Sequence, residues 1–281
     1  MPTPNLIEYQ TTTLGALGPR LPVGIPIGPQ YVRDIEIRPF KLLEEKQIGE
    51  FRARAQALTM GKLVSHILAT LCPRLGPHQL AEMKMADRLL AISQMDMGDV
   101  LYAYIYTRVH ALGPEMEIGF ECPMCRHTYQ TTFNLNDVDV KILENDAVID
   151  RTSDYELRDG LETRGKTFHT LTLGPIPWWG MDSPELEGMN GLNPALRDQA
   201  LLRAGIMKAD GEPIQATDKD LDEMTVYDKS GLMDALSHTI PGPQLIVETS
   251  CNKCTQKYWQ QLEWSYDVFF KRFSRSLAGK S

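Results

Sequence analysis

Two CxxC pairs set the strongest constraint on how this chain can fold. One lies in FECPMCRHTYQ, at Cys122 and Cys125. The other lies in TSCNKCTQK, at Cys251 and Cys254, and 125 residues separate the two pairs. Their flanks match. A Gly-Pro stands at the same distance before each pair, Gly113 before Cys122 and Gly242 before Cys251. A β-prone stretch enters each pair, through Ile118 and Phe120 in the first and Leu245, Ile246 and Val247 in the second. Another leaves it, through Tyr129, Thr131 and Phe133, or through Tyr258, Leu262 and Trp264.

Strand, CxxC turn, strand is a zinc knuckle. Two residues between the cysteines let a tight turn aim both thiolates at one ion, and a second such turn completes a tetrahedron. The expected ligands are Cys122, Cys125, Cys251 and Cys254, holding a structural Zn2+. Such sites contribute about 10–16 kcal/mol of apparent stability in zinc-finger peptides. The cost of closing so long a loop grows only slowly with its length.

Three alternatives are weaker. A redox dithiol usually appears as one CxxC at a helix N-terminus in a βαβ setting, not in paired hairpins. A catalytic zinc keeps one position open for water, and four cysteines fill every position. His127, beside the first pair, is a possible replacement ligand, but the symmetric cysteine set is preferred and His127 reads as a solvated hairpin residue. The fifth cysteine, Cys72, ends the apolar spacing Val64, Ile67, Leu68, Leu71 and reads as a buried core thiol.

The chain has 281 residues, enough for a sizeable core, and a formal net charge of -8. That acidic balance counts against a general nucleic-acid binder. No apolar run is long enough to span a membrane. The opening MPTPNLIEYQTTT lacks the basic and apolar regions of a secretion signal. The expected compartment is therefore the cytoplasm of a bacterial or host cell, where thiols stay reduced.

The knuckle flanks extend into a wider pattern. KMADRLLAISQMDMGDVLYAYIYTRVHAL, before the first knuckle, reads as helix, and so does EMTVYDKSGLMDALSHTI before the second, with Asp228 as its N-cap. DIEIRPFKLLEEK reads as a strand leading through Pro39 into a helix, and KTFHTLTLGPIPWW as its counterpart strand. The expected fold class is α+β: helical segments plus short β-hairpins, in two pseudo-repeated halves joined by a four-cysteine zinc ribbon. The expected divisions are an extended N-terminal arm over 1–30, a first half with the first knuckle over 31–140, an insert and linker with a Pro/Trp loop over 141–215, and a second half with the second knuckle and a C-terminal helix over 216–281.

Catalytic patterns are absent: there is no Gly-rich phosphate loop, GxSxG or HExxH, and the six histidines are scattered. His66 reads as packing. No nucleophile, base and oxyanion site can be assembled, so the expectation is a protein that is not an enzyme. Surface aromatics remain. Trp178 and Trp179, between Pro177 and Gly180, either plug a core edge or anchor a partner. Phe269, Phe270 and Phe273 stand at helical spacing among Lys271, Arg272 and Arg275 and are candidates for the same role.

The order of phrases resembles the baseplate hub assembly chaperones of T-even-like phages and their relatives in contractile injection systems. The matching residues are Leu21 and Pro22, then Ile37, Arg38, Pro39, Glu44 and Glu45, then Cys122 and Cys125. LLRAGIMKADGEPI, EMTVYDKSGL and CNKC look like the later half of such a protein. The resemblance implies a non-enzymatic assembly or structural role, with baseplate hub, spike or tube subunits as partners and incorporation in the particle as one outcome. The competing reading is a zinc-ribbon nucleic-acid-binding module, with Arg126 and Lys253 at the knuckle tips.

Overall fold

The structure is a computed structural model and describes residues 9–54, 59–163, 165–182 and 194–262. The chain enters through β1 (Tyr9–Thr13), a single helical turn α1 (Leu14–Leu17) and the hairpin β2 (Arg20–Ile27) and β3 (Gln30–Glu36). Helices α2 (Leu42–Arg54) and α3 (Met60–Leu71) follow, then the short β4 (Arg74–Leu75), α4 (Met85–Ser93) and α5 (Met97–Leu112). The first knuckle is β5 (Glu115–Glu121) and β6 (Thr128–Asn134), followed by β7 (Asp139–Leu143). A long hairpin, β8 (Ser153–Thr163) and β9 (Lys166–Leu173), precedes α6 (Pro194–Gly205), β10 (Ile206–Ala209) and β11 (Glu212–Pro213). The chain then runs through α7 (Asp218–Asp222), α8 (Val226–Thr239), β12 (Gly242–Pro243) and the second knuckle, β13 (Ile246–Ser250) and β14 (Lys257–Gln261).

Every named strand pairing is antiparallel. The sheets are small: β1-β7-β12, β2-β3-β4, β11-β10-β9-β8 and the two separate knuckle hairpins. The mixture of helix and short antiparallel hairpins is the α+β composition expected from the sequence.

One buried cluster runs from Leu14 to Leu262 and takes in both knuckles and the stretch between them. Its centre is α5, where Tyr102, Tyr104 and Ile105 have no exposed surface. Beside it lies α3, whose Val64, Ile67, Leu68 and Leu71 are fully buried, as a helical stripe at that spacing requires. The Thr59 hydroxyl starts α3 by accepting the Lys62 N–H at 3.0 Å. Cys72 is a core thiol, 2% exposed, and burial pushes its pKa up to about 12.

Several local expectations change. The N-terminal stretch is extended, but it is threaded into the core: Leu14, Leu21 and Val23 are fully buried. Two of its backbone N–H groups, on Val23 and Gly24, donate to the oxygens of the buried Asp99 carboxyl group at 2.8 Å each. The helical stretch before the first knuckle is two helices, because Asp96 turns its side chain back to accept the Gly98 N–H at 2.9 Å and starts α5. Asp228 is not the N-cap of α8. Thr225 takes that place, and Asp228, with no exposed surface, accepts the N–H groups of Arg158 and Asp159 on β8 at 2.8 and 2.9 Å. The region between the knuckles holds a four-stranded sheet with Leu161, Leu171 and Leu173 fully buried, so it adds to the core.

Candidate metal centre

Each CxxC is the turn of its hairpin, and the two turns have the same internal geometry. In the first, the Cys122 N–H donates to the His127 carbonyl at 3.0 Å and the Arg126 N–H to the Cys122 carbonyl at 2.9 Å. In the second, the Cys251 N–H donates to the Gln256 carbonyl at 3.0 Å and the Thr255 N–H to the Cys251 carbonyl at 2.9 Å. The residue after the second cysteine is left-handed in both, Arg126 at φ 58° and Thr255 at φ 59°. That conformation is uncommon for any residue but glycine and a strained choice for β-branched threonine. Its recurrence shows that the turn dictates it.

The turns face each other and bring four thiols together. All four Sγ atoms lie within 4.8 Å of one another. The close pairs are crossed: Cys122 Sγ lies 3.6 Å from Cys254 Sγ, and Cys125 Sγ lies 3.7 Å from Cys251 Sγ. The first cysteine of each knuckle thus meets the second of the other, the relation that a local twofold axis creates. These spacings exceed the roughly 2.05 Å of a disulfide. They match a thiolate tetrahedron: a metal–sulfur bond of about 2.3 Å, the value for zinc, sets an S–S edge of about 3.8 Å.

The electrostatics favour a cation. The backbone N–H of Cys125, aided by that of Met124, holds the Cys122 thiol below its ordinary value. The corresponding N–H of Cys254, aided by that of Lys253, pulls Cys251 down to about 6. At Cys254 the Gln256 N–H pulls downward too, but desolvation and three neighbouring sulfurs outweigh it and push the thiol up to about 12. Four thiolates this close repel one another, and a bound metal ion removes that penalty. Cys122 and Cys251 are buried, Cys125 is half-buried and Cys254 is exposed.

A pair of tyrosines extends the match. Tyr129 and Tyr258 each stand seven positions after the first cysteine of their knuckle, and their hydroxyls meet at 2.8 Å. The Tyr129 hydroxyl also lies 3.2 Å from Thr249 Oγ1. Sequence reasoning placed both tyrosines on the outgoing strands and missed their contact, although the shared offset was the signal for it. His127 stacks on Tyr129 rather than joining the thiol cluster.

The other candidate residues lie elsewhere. Trp178 is fully buried, and its indole N–H donates to Ser65 Oγ at 2.9 Å. Burial leaves Trp178 no surface to offer, so the anchor reading passes to Trp179, which is 48% exposed. Phe269, Phe270 and Phe273 lie outside the described residues. His66 stacks face to face on Phe51, with ring centroids 3.9 Å apart. Among the described residues, no other cluster of cysteine, histidine and carboxylate groups has metal-binding geometry. No helix among them is long and apolar enough to cross a membrane.

Comparison with known proteins places the first knuckle inside a family. Residues 23–161 match the family model described as T4 bacteriophage base plate protein. No curated protein and no solved structure matches the chain. The matched segment runs from β2 into β8, so it contains Cys122 and Cys125 but not Cys251 and Cys254. The similarity of residues 23–161, just under half of the chain, supports a T4-like phage baseplate protein family.

Proposed function

We propose that the protein is a non-enzymatic structural or assembly component of the baseplate of a contractile phage tail or a phage-tail-like injection system. It works through protein–protein contacts on a body stapled by a structural Zn2+. The observation that carries this reading is the family match over residues 23–161 together with the site that the match leaves half complete. The remaining ligands come from the C-terminal knuckle, so metal binding ties the family segment to the end of the described chain. The equal turn geometry and the crossed Sγ pairs support two knuckle arms related as a repeat. The four cysteine donors fit zinc, and no open position for catalysis follows from four thiolates.

The proposed partners are hub, spike or tube subunits, met in the cell that builds the particle and, for a retained component, in the particle itself. Trp179 is the exposed aromatic proposed to meet them, with Phe269, Phe270 and Phe273 as sequence candidates. Affinity purification from the native cell, scored by mass spectrometry for baseplate and tail subunits, tests the reading. Co-purification with those subunits at defined stoichiometry is expected. Salt-sensitive binding to DNA or RNA without them would favour the nucleic-acid module instead.

A further inference from the structure

The two knuckles share a geometry but differ in how they are held. In the first hairpin, Met116, Ile118 and Phe120 on β5 and Tyr129 on β6 are buried. In the second, no residue of β13 or β14 is fully buried: exposed and half-buried positions alternate along both strands. Among the described residues, these strands pair only with each other. An isolated two-stranded hairpin is marginally stable at best in water.

The second hairpin is fixed at two places. At its root, Leu245 and Leu262 are buried, and the Leu262 N–H donates to the Leu245 carbonyl at 2.7 Å. Just before the root, Gly242 and Pro243 pair with β7, and Gly242 packs so closely on Gly98 that a Cβ there would sit 2.7 Å from its Cα. At its tip, the Cys251 and Cys254 sulfurs meet those of Cys125 and Cys122, and Tyr258 and Thr249 meet Tyr129. Among the described residues, every side-chain hydrogen bond recorded from residues 246–261 to the rest of the chain ends on the first knuckle. Between root and tip the hairpin touches the main cluster only through the half-buried Val247 and Tyr258 among the described residues, and neither strand has a fully buried residue.

We infer that residues 246–261 are a hinged hairpin latched by the metal, with the Tyr129–Tyr258 contact as its second catch. The inference rests on the metal reading above. With the ion bound, the hairpin lies against the first knuckle. With the ion removed, the clustered thiols no longer have a cation to share, and two hydroxyl contacts contribute little net stability. The hairpin then swings about Leu245 and Leu262 while the body, built around α5 and the β8–β9 sheet, keeps its structure. Opening carries Trp259, 70% exposed, and Ile246, 60% exposed, away from the first knuckle. They are diagonal neighbours on the outer face of the hairpin, where residues 130 and 117 of the first knuckle are Gln130 and Glu117. The metal state therefore sets where that apolar pair is presented.

Hydrogen–deuterium exchange on the full-length chain tests this, measured as purified and after chelation, with metal content determined on the same samples. Chelation is expected to speed exchange across 246–261 by an order of magnitude or more, while α5 and β8–β9 stay strongly protected and slow to exchange. Added Zn2+ is expected to restore protection. Loss of protection along the whole chain would overturn the inference, and so would unchanged exchange in a sample shown to have lost its metal. A chain that holds no metal and takes up no added Zn2+ overturns the latch together with the metal reading, and the metal analysis distinguishes that failure from the others. Tyr258→Phe is expected to speed exchange in the hairpin with metal content unaltered; unchanged rates would remove the tyrosine pair from the latch.

Discussion

The hydroxyl of Tyr129 lies 2.8 Å from the hydroxyl of Tyr258, a residue 129 positions further along the chain. The same offset relates Cys122 to Cys251 and Cys125 to Cys254, so the two knuckles contribute corresponding positions to the contact. The thiol cluster beside it is likewise a junction between the two hairpins. A structural ion in one hairpin would order a turn. An ion shared by two hairpins would fix how the family segment meets the C-terminal part of the described chain.

The first prediction concerns the ligands. Cys251→Ser should abolish metal binding and lower global stability while leaving the body folded. Binding to the native state alone contributes about 4 kcal/mol when free metal stands near 1,000 times its Kd. Urea unfolding with and without added Zn2+ measures it: the parent should gain stability with metal and the variant should not. An equal response in both would remove Cys251 from the site.

The tryptophan pair makes a contrast within two adjacent residues. Trp178→Ala empties a fully buried site and leaves Ser65 Oγ without its indole donor, at a cost of about 3–5 kcal/mol. Trp179→Ala removes a half-exposed ring and should change stability by about 0.5 kcal/mol or less. Chemical denaturation of the two variants checks this, and equal losses would contradict the placement of the loop.

Asp99 gives a pH dependence. Burial, reinforced by the charge of Asp96, pushes its carboxyl up to about 7, against the pull of the Val23 and Gly24 N–H groups. Its folded pKa is therefore raised above the unfolded value of about 3.9. Between those values the native chain holds a proton that the unfolded chain has lost, so this group's contribution to stability falls as pH rises toward 7. Asp99→Asn should flatten that slope, and it should also destabilise the protein by about 1–3 kcal/mol because an amide turns a donor toward one of the two N–H groups. Denaturation midpoints at pH 5 and pH 7.5 measure both effects. A slope unchanged in Asp99→Asn would assign the titration elsewhere.

At the N-terminus of α8, Thr225→Ala should cost about 1 kcal/mol, as the loss of an N-cap does. Asp228→Ala should cost more, because it leaves the N–H groups of Arg158 and Asp159 without their acceptor, each at about 1–3 kcal/mol when buried. Thermal unfolding of the two variants orders them, and the reverse order would return Asp228 to the role of a simple cap.

The parts of this fold legible in the sequence are those written in short spacings. Cys122 to Cys125 and Cys251 to Cys254 are local turns, and their facing arrangement followed from the chemistry of a four-thiolate site. The stripe from Val64 to Leu71 is likewise set by helical period. The illegible parts depend on partners distant in the chain. Asp99 reads as one more carboxylate in an acidic helix start, and only the fold brings the N–H groups of Val23 and Gly24 to it. Asp228 has the composition of a cap, yet its acceptor atoms serve β8, about seventy residues away. Strand β8 was hidden as well: SDYELRDGLET carries charges on its exposed face, and its pairing with β9 shifts register between Glu156 and Leu161. That shift breaks the alternation that marks a strand.

The most direct test of the central claim is the metal content of the purified full-length chain, read beside that of a Cys122→Ser/Cys251→Ser variant. The account predicts one Zn2+ per chain in the parent, with its four clustered thiols shielded from thiol reagents until a chelator is added, and no bound metal in the variant. A parent chain that carries no metal, takes up none when Zn2+ is supplied under reducing conditions, and leaves those thiols freely reactive would contradict it.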